Sequence, residues 1–212
     1  LKPIHRHFYL VVSIFLLSIC STSVHSQQQP TRPSAAYQSR LEIIESKIDS
    51  ILSLLTLKEK VSMCHAQSQF SSPGIPRLGI PELWMSDGPH GIRAEINWSN
   101  WGYSGWTNDY ITAFPALTCL AATFNPSLSN QYGASIGEEA RYRKKDVLLG
   151  PGVNIYRTPL NGRNFEYMGE DPYLASTMVV PYIKGVQNNG VAACVKHFAL
   201  NNQELWRNHI NV

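Results

Sequence analysis

From Leu41 onward, apolar residues recur at intervals of three and four: Leu41, Ile44, Ile48, Ile51, Leu52 and Leu55. That is the period of an amphipathic helix. Thr56-Leu57-Lys58-Glu59 has the spacing of a capping box, so a second helix is expected to begin there. Residues 71–81 are broken by glycine and proline and read as a loop. The pattern then changes to short apolar runs. Residues 83–86 predict a buried strand that ends at Asp87-Gly88-Pro89-His90-Gly91, where Gly88-Pro89 and Gly91 demand a tight turn. Residues 114–124 predict a second strand, with 117–122 as its core. Asn125-Pro126-Ser127 opens a helix through about Arg143. Ile136 and Ala140 are spaced for its packed face, and Gly133 and Gly137 should allow close approach to a sheet. A third strand is expected at Val147–Leu149 and a helix at Pro172–Gln187, kinked or split by Pro181 and stopped by Asn188-Asn189-Gly190. Residues 191–195 make a fourth strand, which delivers Lys196 and His197 at its C-terminal end.

Strands and helices alternate, and the strands are short and apolar. Parallel α/β architecture is the economical reading. Polar residues gather after the strands: Asp87, then 154–166, then Lys196 and His197. In a (β/α)8 TIM-type barrel that face carries the active site. A barrel needs eight strands and the pattern offers four, so the expected fold is a small open sheet or about the first half of a barrel domain.

The N-terminal residues read as targeting rather than fold. Lys2, His5, Arg6 and His7 form a basic start, and residues 8–20 an apolar run too short for a comfortable membrane span. Residues 1–26 are therefore expected to be a secretory signal peptide, with an uncleaved anchor as the alternative. Residues 27–39, rich in Gln, Pro, Ser and Thr, read as a flexible leader before a domain spanning 40–212. An exported protein, periplasmic or extracellular, with no stable membrane span after cleavage is the expectation. The 212 residues carry a 43% hydrophobic fraction and a net charge of +3, and removing Lys2 and Arg6 leaves 16 basic against 15 acidic side chains. The only basic run is 141–145, so nucleic acid has little electrostatic claim as a partner.

The densest chemistry lies in 162–172, where Arg163, Glu166, Glu170 and Asp171 sit among Phe165 and Tyr167. Such a stretch suits a polar ligand site, while Asp171-Pro172 also suits the cap and first turn of a helix. Asp87 is either a turn residue or a carboxylate aimed at a ligand, and Arg93 and Glu95 either pair locally or line the same rim. Trp98, Trp101, Tyr103, Trp106 and Tyr110 lie in an aperiodic polar segment, fit for stacking on sugar faces, for an interface or for anchoring a loop. Asn97-Trp98-Ser99 is a glycosylation sequon. Cys64, Cys119 and Cys194 each sit in an apolar run and are expected to be small buried hydrophobes.

Four motifs, in this order, resemble glycoside hydrolase family 3: Gly74-Ile75-Pro76-Arg77-Leu78-Gly79-Ile80-Pro81; Ser86-Asp87-Gly88-Pro89-His90-Gly91-Ile92-Arg93; Gly162-Arg163-Asn164-Phe165-Glu166 with Gly169-Glu170-Asp171-Pro172; and Val195-Lys196-His197-Phe198-Ala199 with Asn201-Asn202-Gln203-Glu204. The resemblance covers about Leu41 to the last residue and is nearest to exported bacterial β-glucosidases and β-xylosidases. It lacks the Pro-Gly-His continuation of the β-N-acetylglucosaminidase branch. It implies a retaining, exo-acting β-glucosidase that releases terminal β-D-glucose, with β-xylosidase as the alternative and a β-linked oligosaccharide or glycoside as substrate. Asp87 would accept from hydroxyls of the terminal sugar. Arg163, Lys196 and His197 would donate to it, Arg93 would stand in the same shell, and Glu166 would orient Arg163. No cofactor is implied. The family draws its nucleophilic Asp from a later strand-end motif and its acid/base, usually Glu, from a second domain. Both are expected beyond Val212, with the rest of the barrel, so no catalytic residue is assigned here and the 212 residues alone are expected to be inactive and poorly soluble.

Other classes fit less well. A non-catalytic carbohydrate-binding protein would use the same polar residues and the aromatic segment. A nucleotide enzyme lacks its glycine fingerprint and phosphate loop. For a metalloenzyme, His65, His90, His197 and His209 have no compact ligand spacing.

Overall fold

The computed structural model describes residues 34–106 and 110–210, so the signal reading of 1–26 and the leader up to residue 33 lie outside the described residues. The chain divides into two compact units after Ser53. The first contributes helix α1 (Ala35–Leu54), which begins inside the stretch expected as leader and buries none of its residues. Ile44, Ile48, Ile51 and Leu52 do share the period read from the sequence, but all are exposed.

The second unit opens with α2 (Leu57–Ser62). The predicted capping box is present: Thr56 Oγ1 accepts from the Glu59 amide, and Glu59 accepts from the Thr56 amide at 2.8 Å. Arg77 donates to both Glu59 oxygens, at 3.0 and 2.7 Å, and this holds the carboxyl down at a pKa of about 2. Strand β1 (Ser71–Ser72) pairs antiparallel with β2 (Leu83–Asp87). Strand β2 pairs parallel with β3 (Val147–Leu149), which pairs parallel with β4 (Ala192–Ala193). The result is an open, unclosed mixed sheet in the order β1-β2-β3-β4, with helices against it. No helix among the described residues is long and apolar enough to cross a membrane.

One expected strand is a helix. Residues 117–121 form α3 (Leu117–Ala121). Leu117, Leu120 and Ala121 are buried while Thr118 and Cys119 face out, the i, i+3, i+4 pattern of a helix rather than the alternation of a strand. A continuous short apolar run does not distinguish the two by itself. The parallel part of the sheet therefore has three strands, and β1 supplies the fourth.

Helices α4 (Pro126–Tyr142) and α5 (Pro172–Gln187) pack on each other and fill the core with Ile136, Ala140, Met178, Tyr182 and Val186. Asn125 caps α4 by accepting from the Ser127 and Leu128 amides, and Asp171 caps α5 by accepting from Tyr173. The close approach foreseen for Gly133 and Gly137 is real, but the neighbour is α5 and not the sheet. A Cβ on Gly133 would lie 2.1 Å from the Tyr182 carbonyl oxygen. Helix α5 runs through Pro181 without splitting. The cysteines differ from expectation: Cys64, Cys119 and Cys194 are all exposed thiols. Cys119 occupies the outer side of α3 between the buried Leu117 and Leu120, so an apolar run there has a wet side.

Candidate functional site

The parallel register sets Asp87 opposite Leu149 at the C-terminal ends of β2 and β3, and Gly152 bridges to Lys196 beyond β4. Three sequence-distant segments thus emerge at one end of the sheet. The turn after Asp87 needs its glycine. Gly88 has φ +131°, and a Cβ there would meet the Gly91 carbonyl oxygen at 1.7 Å. The Arg93 amide closes the turn by donating to Asp87 O at 3.0 Å and to Ser86 Oγ at 3.1 Å.

These segments enclose a cleft of about 340 Å³, lined by Asp87, His90, Arg93, Arg163, Phe165, Glu166 and Lys196 together with the rest of the 88–92 turn and residues 111–113. Lys196 Nζ donates to Asp87 Oδ1 at 2.5 Å, and Arg93 stands 3.9 Å from Asp87 Oδ2. Asp87 keeps a side chain 35% exposed, so one edge of its carboxylate is open to the cleft. Arg163 binds Glu166 through two bonds, at 2.5 and 2.9 Å. That pair holds the guanidinium well above its ordinary pKa, against an opposing effect of burial. Glu166 is nearly buried and orients Arg163, as the motif implied.

His197 does not line the cleft; it stands behind Arg163. Arg163 donates to His197 Nε2 at 2.9 Å, so Nε2 must accept and the ring proton belongs on Nδ1. Nδ1–H then donates to the Tyr167 hydroxyl at 2.8 Å. With its amide oxygen toward them, Asn201 accepts from Tyr167 at 2.6 Å and from Arg163 at 3.2 Å, and its nitrogen donates to Glu204 at 3.2 Å. Arg163 also reaches Glu204 at 3.3 Å. Burial lowers the His197 pKa, and the Arg163 and Lys196 charges add to the effect, which agrees with a neutral acceptor ring. Burial likewise pushes the Tyr167 hydroxyl up. The resemblance cast His197 as a donor to sugar. In this network its one N–H is directed to Tyr167 and its Nε2 accepts from Arg163.

The structure therefore brings Asp87, Arg93, Arg163 and Lys196 to one cleft and sets His197 one layer behind. Sequence reasoning missed Tyr167, Asn154 and Asn201, whose partners lie about 30 to 43 residues away, as in the 2.8 Å bond from the His197 amide to Asn154 Oδ1. It also missed His90 and Phe165 as a touching pair, with ring centroids 5.3 Å apart, although both stood inside quoted motifs. Glu95, expected near Arg93, instead accepts from Lys145 at 2.7 Å and from Arg143 at 3.5 Å in a second hollow.

Both cleft carboxylates are engaged, Asp87 by Lys196 and Glu166 by Arg163. The cleft holds groups able to accept from and donate to a polyhydroxylated ring.

A family model described as "Glycosyl hydrolase family 3 N terminal domain" matches residues 34–212. The chain is 66% identical over 206 residues to the β-glucosidase BoGH3A of Bacteroides ovatus, which covers 95% of this chain and 28% of that protein. Among solved structures, β-glucosidase 3B from Thermotoga neapolitana in complex with glucose superposes with a TM-score of 0.66 at 41% identity, over 74% of this chain and 24% of that one. The β-glucosidase from Kluyveromyces marxianus in complex with glucose gives 0.68 at 39% identity, over 74% and 18%. The chain thus spans about a quarter or less of the length of most of these relatives.

Proposed function

The chain belongs to glycosyl hydrolase family 3 through its N-terminal domain, and on that premise we propose that it is the sugar-binding part of an exo-acting, retaining β-glucosidase. The observation that carries this reading is the convergence of the Asp87–Lys196 pair, Arg163 and Arg93 on one cleft at the strand C-termini. A terminal β-D-glucose would place adjacent hydroxyls against the open edge of Asp87 and within reach of Lys196 and Arg163. Bonds of this kind that tighten as the ring flattens toward an oxocarbenium ion lower the barrier. The likeness to β-glucosidases, two of them solved with glucose, supports glucose as the sugar.

Retaining hydrolysis needs two carboxyl groups roughly 5 to 5.5 Å apart, one to attack and one to protonate. Because Asp87 and Glu166 are held by cations, the proposal assigns the reacting pair to other residues of the whole protein. The open sheet is read, on the same proposal, as the first part of a (β/α)8 barrel. The basic and apolar start of the chain supports export.

The test is a panel of nitrophenyl β-glucoside and β-xyloside on the full-length protein. The expected result is turnover of the β-glucoside that falls sharply in Lys196→Ala. Preference for the xyloside would move the assignment to a β-xylosidase, and sugar binding without turnover of either would make the protein a binder.

A further inference from the structure

We propose that Phe70 and Trp101 are positioning residues whose rings clamp the Arg93 guanidinium beside Asp87, so that the aromatic segment around 97–106 sets the affinity of the sugar site through Arg93. The proposal rests on the reading of the cleft as a glucose site.

The Arg93 backbone is fixed by its two bonds to the Asp87 turn, but its side chain is not fixed by Asp87 alone, because 3.9 Å is a long ion-pair contact. Two rings hold it instead. The guanidinium carbon lies 5.8 Å from the Phe70 centroid and 5.3 Å from the Trp101 centroid, both within cation–π range. The rings also brace each other, meeting edge to face at 5.6 Å. Arg93 Nε is buried and has no hydrogen-bond partner in this structure, so aromatic contact stands where a polar partner usually would. Both rings are tied to the scaffold. The Met85 amide of β2 donates to Phe70 O at 2.8 Å, and the Gln69 amide donates to Trp98 O at 3.3 Å, joining the β1 turn to the aromatic segment. An Ile96–Tyr103 bridge closes that segment on itself.

Neither Phe70 nor Trp101 lines the cleft, whereas Arg93 does. Their route to the sugar is therefore the guanidinium. This gives a role to an exposed tryptophan that otherwise resembles a sugar-stacking platform. A freely rotating Arg93 must be ordered by each incoming sugar, and a clamped one is already in place.

The experiment is calorimetric titration of glucose into the full-length protein, with Trp101→Ala, Trp101→Phe, Phe70→Leu, Arg93→Ala, Asp87→Asn and the Arg93→Ala/Trp101→Ala double variant. Trp101→Ala and Phe70→Leu are each expected to weaken glucose about five-fold, the size of a partly desolvated cation–π contact. Trp101→Phe, which keeps a ring, should stay within about two-fold. In the Arg93→Ala background the Trp101→Ala loss should shrink to less than about two-fold, since coupled residues are not additive. An equal loss with and without Arg93 would overturn the clamp, and so would unaltered affinity in Trp101→Ala. Weakened binding in Asp87→Asn and Arg93→Ala alongside such a result would leave the sugar site standing and remove the clamp alone. Unchanged binding in Asp87→Asn and Arg93→Ala together would remove both.

Discussion

At the C-terminal ends of β2, β3 and β4 the chain surrounds about 340 Å³ with Asp87, Glu166, Arg93, Arg163 and Lys196. Toward the N-terminal ends of β2 and β3 it surrounds about 660 Å³ with Phe70, Trp84, Ile96, Trp98 and Trp106, over Glu95, Arg143 and Lys145. The second hollow is larger and more aromatic, and by size it would be the better ligand site. Its Glu95, however, is already paired with Lys145 and Arg143. Lys145, 7% exposed, binds Glu95 at 2.7 Å and lies 5.6 Å from the Trp84 ring centroid, and Trp84 meets Trp98 edge to face. In the smaller cleft the Asp87 carboxylate keeps an open edge, and the groups behind Arg163 serve to aim it. Polar groups that converge with capacity to spare distinguish a site from a packed ion cluster.

The largest expected effect separates the two ends directly. Lys196→Ala removes the donor to Asp87 and should lower kcat/KM of the full-length protein by about 100-fold or more, with little change in Tm because the pair is partly exposed. A loss under ten-fold would show that Asp87 does not depend on Lys196. Lys145→Ala at the opposite end should do the reverse. Taking the buried ammonium away from Glu95 should cost about 2–3 kcal/mol in denaturant unfolding while leaving KM within two-fold. A large rise in KM without loss of stability would place function in the second hollow.

Tyr167→Phe sharpens the account of the cleft. Without the hydroxyl, His197 and Asn201 lose their shared partner, and about ten-fold in kcat/KM should go with it, roughly the worth of one or two hydrogen bonds. Retention of full activity would mean that Arg163 is held without the bond between His197 and Tyr167. The His197 ring gives a pH signature of smaller size. Its folded pKa lies below 6.5, so the folded state binds fewer protons than the unfolded one. Its contribution to stability is complete above about pH 6.5 and is lost as pH falls through the lowered value. The difference in Tm between the native protein and His197→Gln should therefore be constant above pH 6.5 and narrow below it. A difference that widens on acidification would contradict the neutral acceptor ring. The smallest effect belongs to Trp106→Ala, which should leave kcat/KM within two-fold.

Much of this was legible in the chain. The caps at Thr56, Asn125 and Asp171 announced their helices, because a side chain three residues or fewer from its target needs no tertiary information. The strand at residues 83–87 and the turn at Gly88 were equally local. Residues 117–121 were not, since a short apolar run is ambiguous until burial decides which side is wet. Gly133 showed that a close approach was coming but not that α5 would make it. In the site, Asp87, Arg163 and Lys196 came from recurring motifs, whereas the hydrogen-bond chain through His197, Tyr167 and Asn201 depends on how three segments meet. Arg93 was visible as a residue, but its clamp depends on two rings brought together by the β1 turn.

The most direct measurement is a crystal structure of the full-length protein soaked with glucose. The account predicts one glucose in the cleft, with hydroxyl oxygens within about 3.2 Å of the Asp87 carboxylate, Lys196 Nζ and the Arg163 guanidinium. Glucose seated against Trp98 and Trp106 at the other end of the strands, with the Asp87 cleft empty, would contradict it.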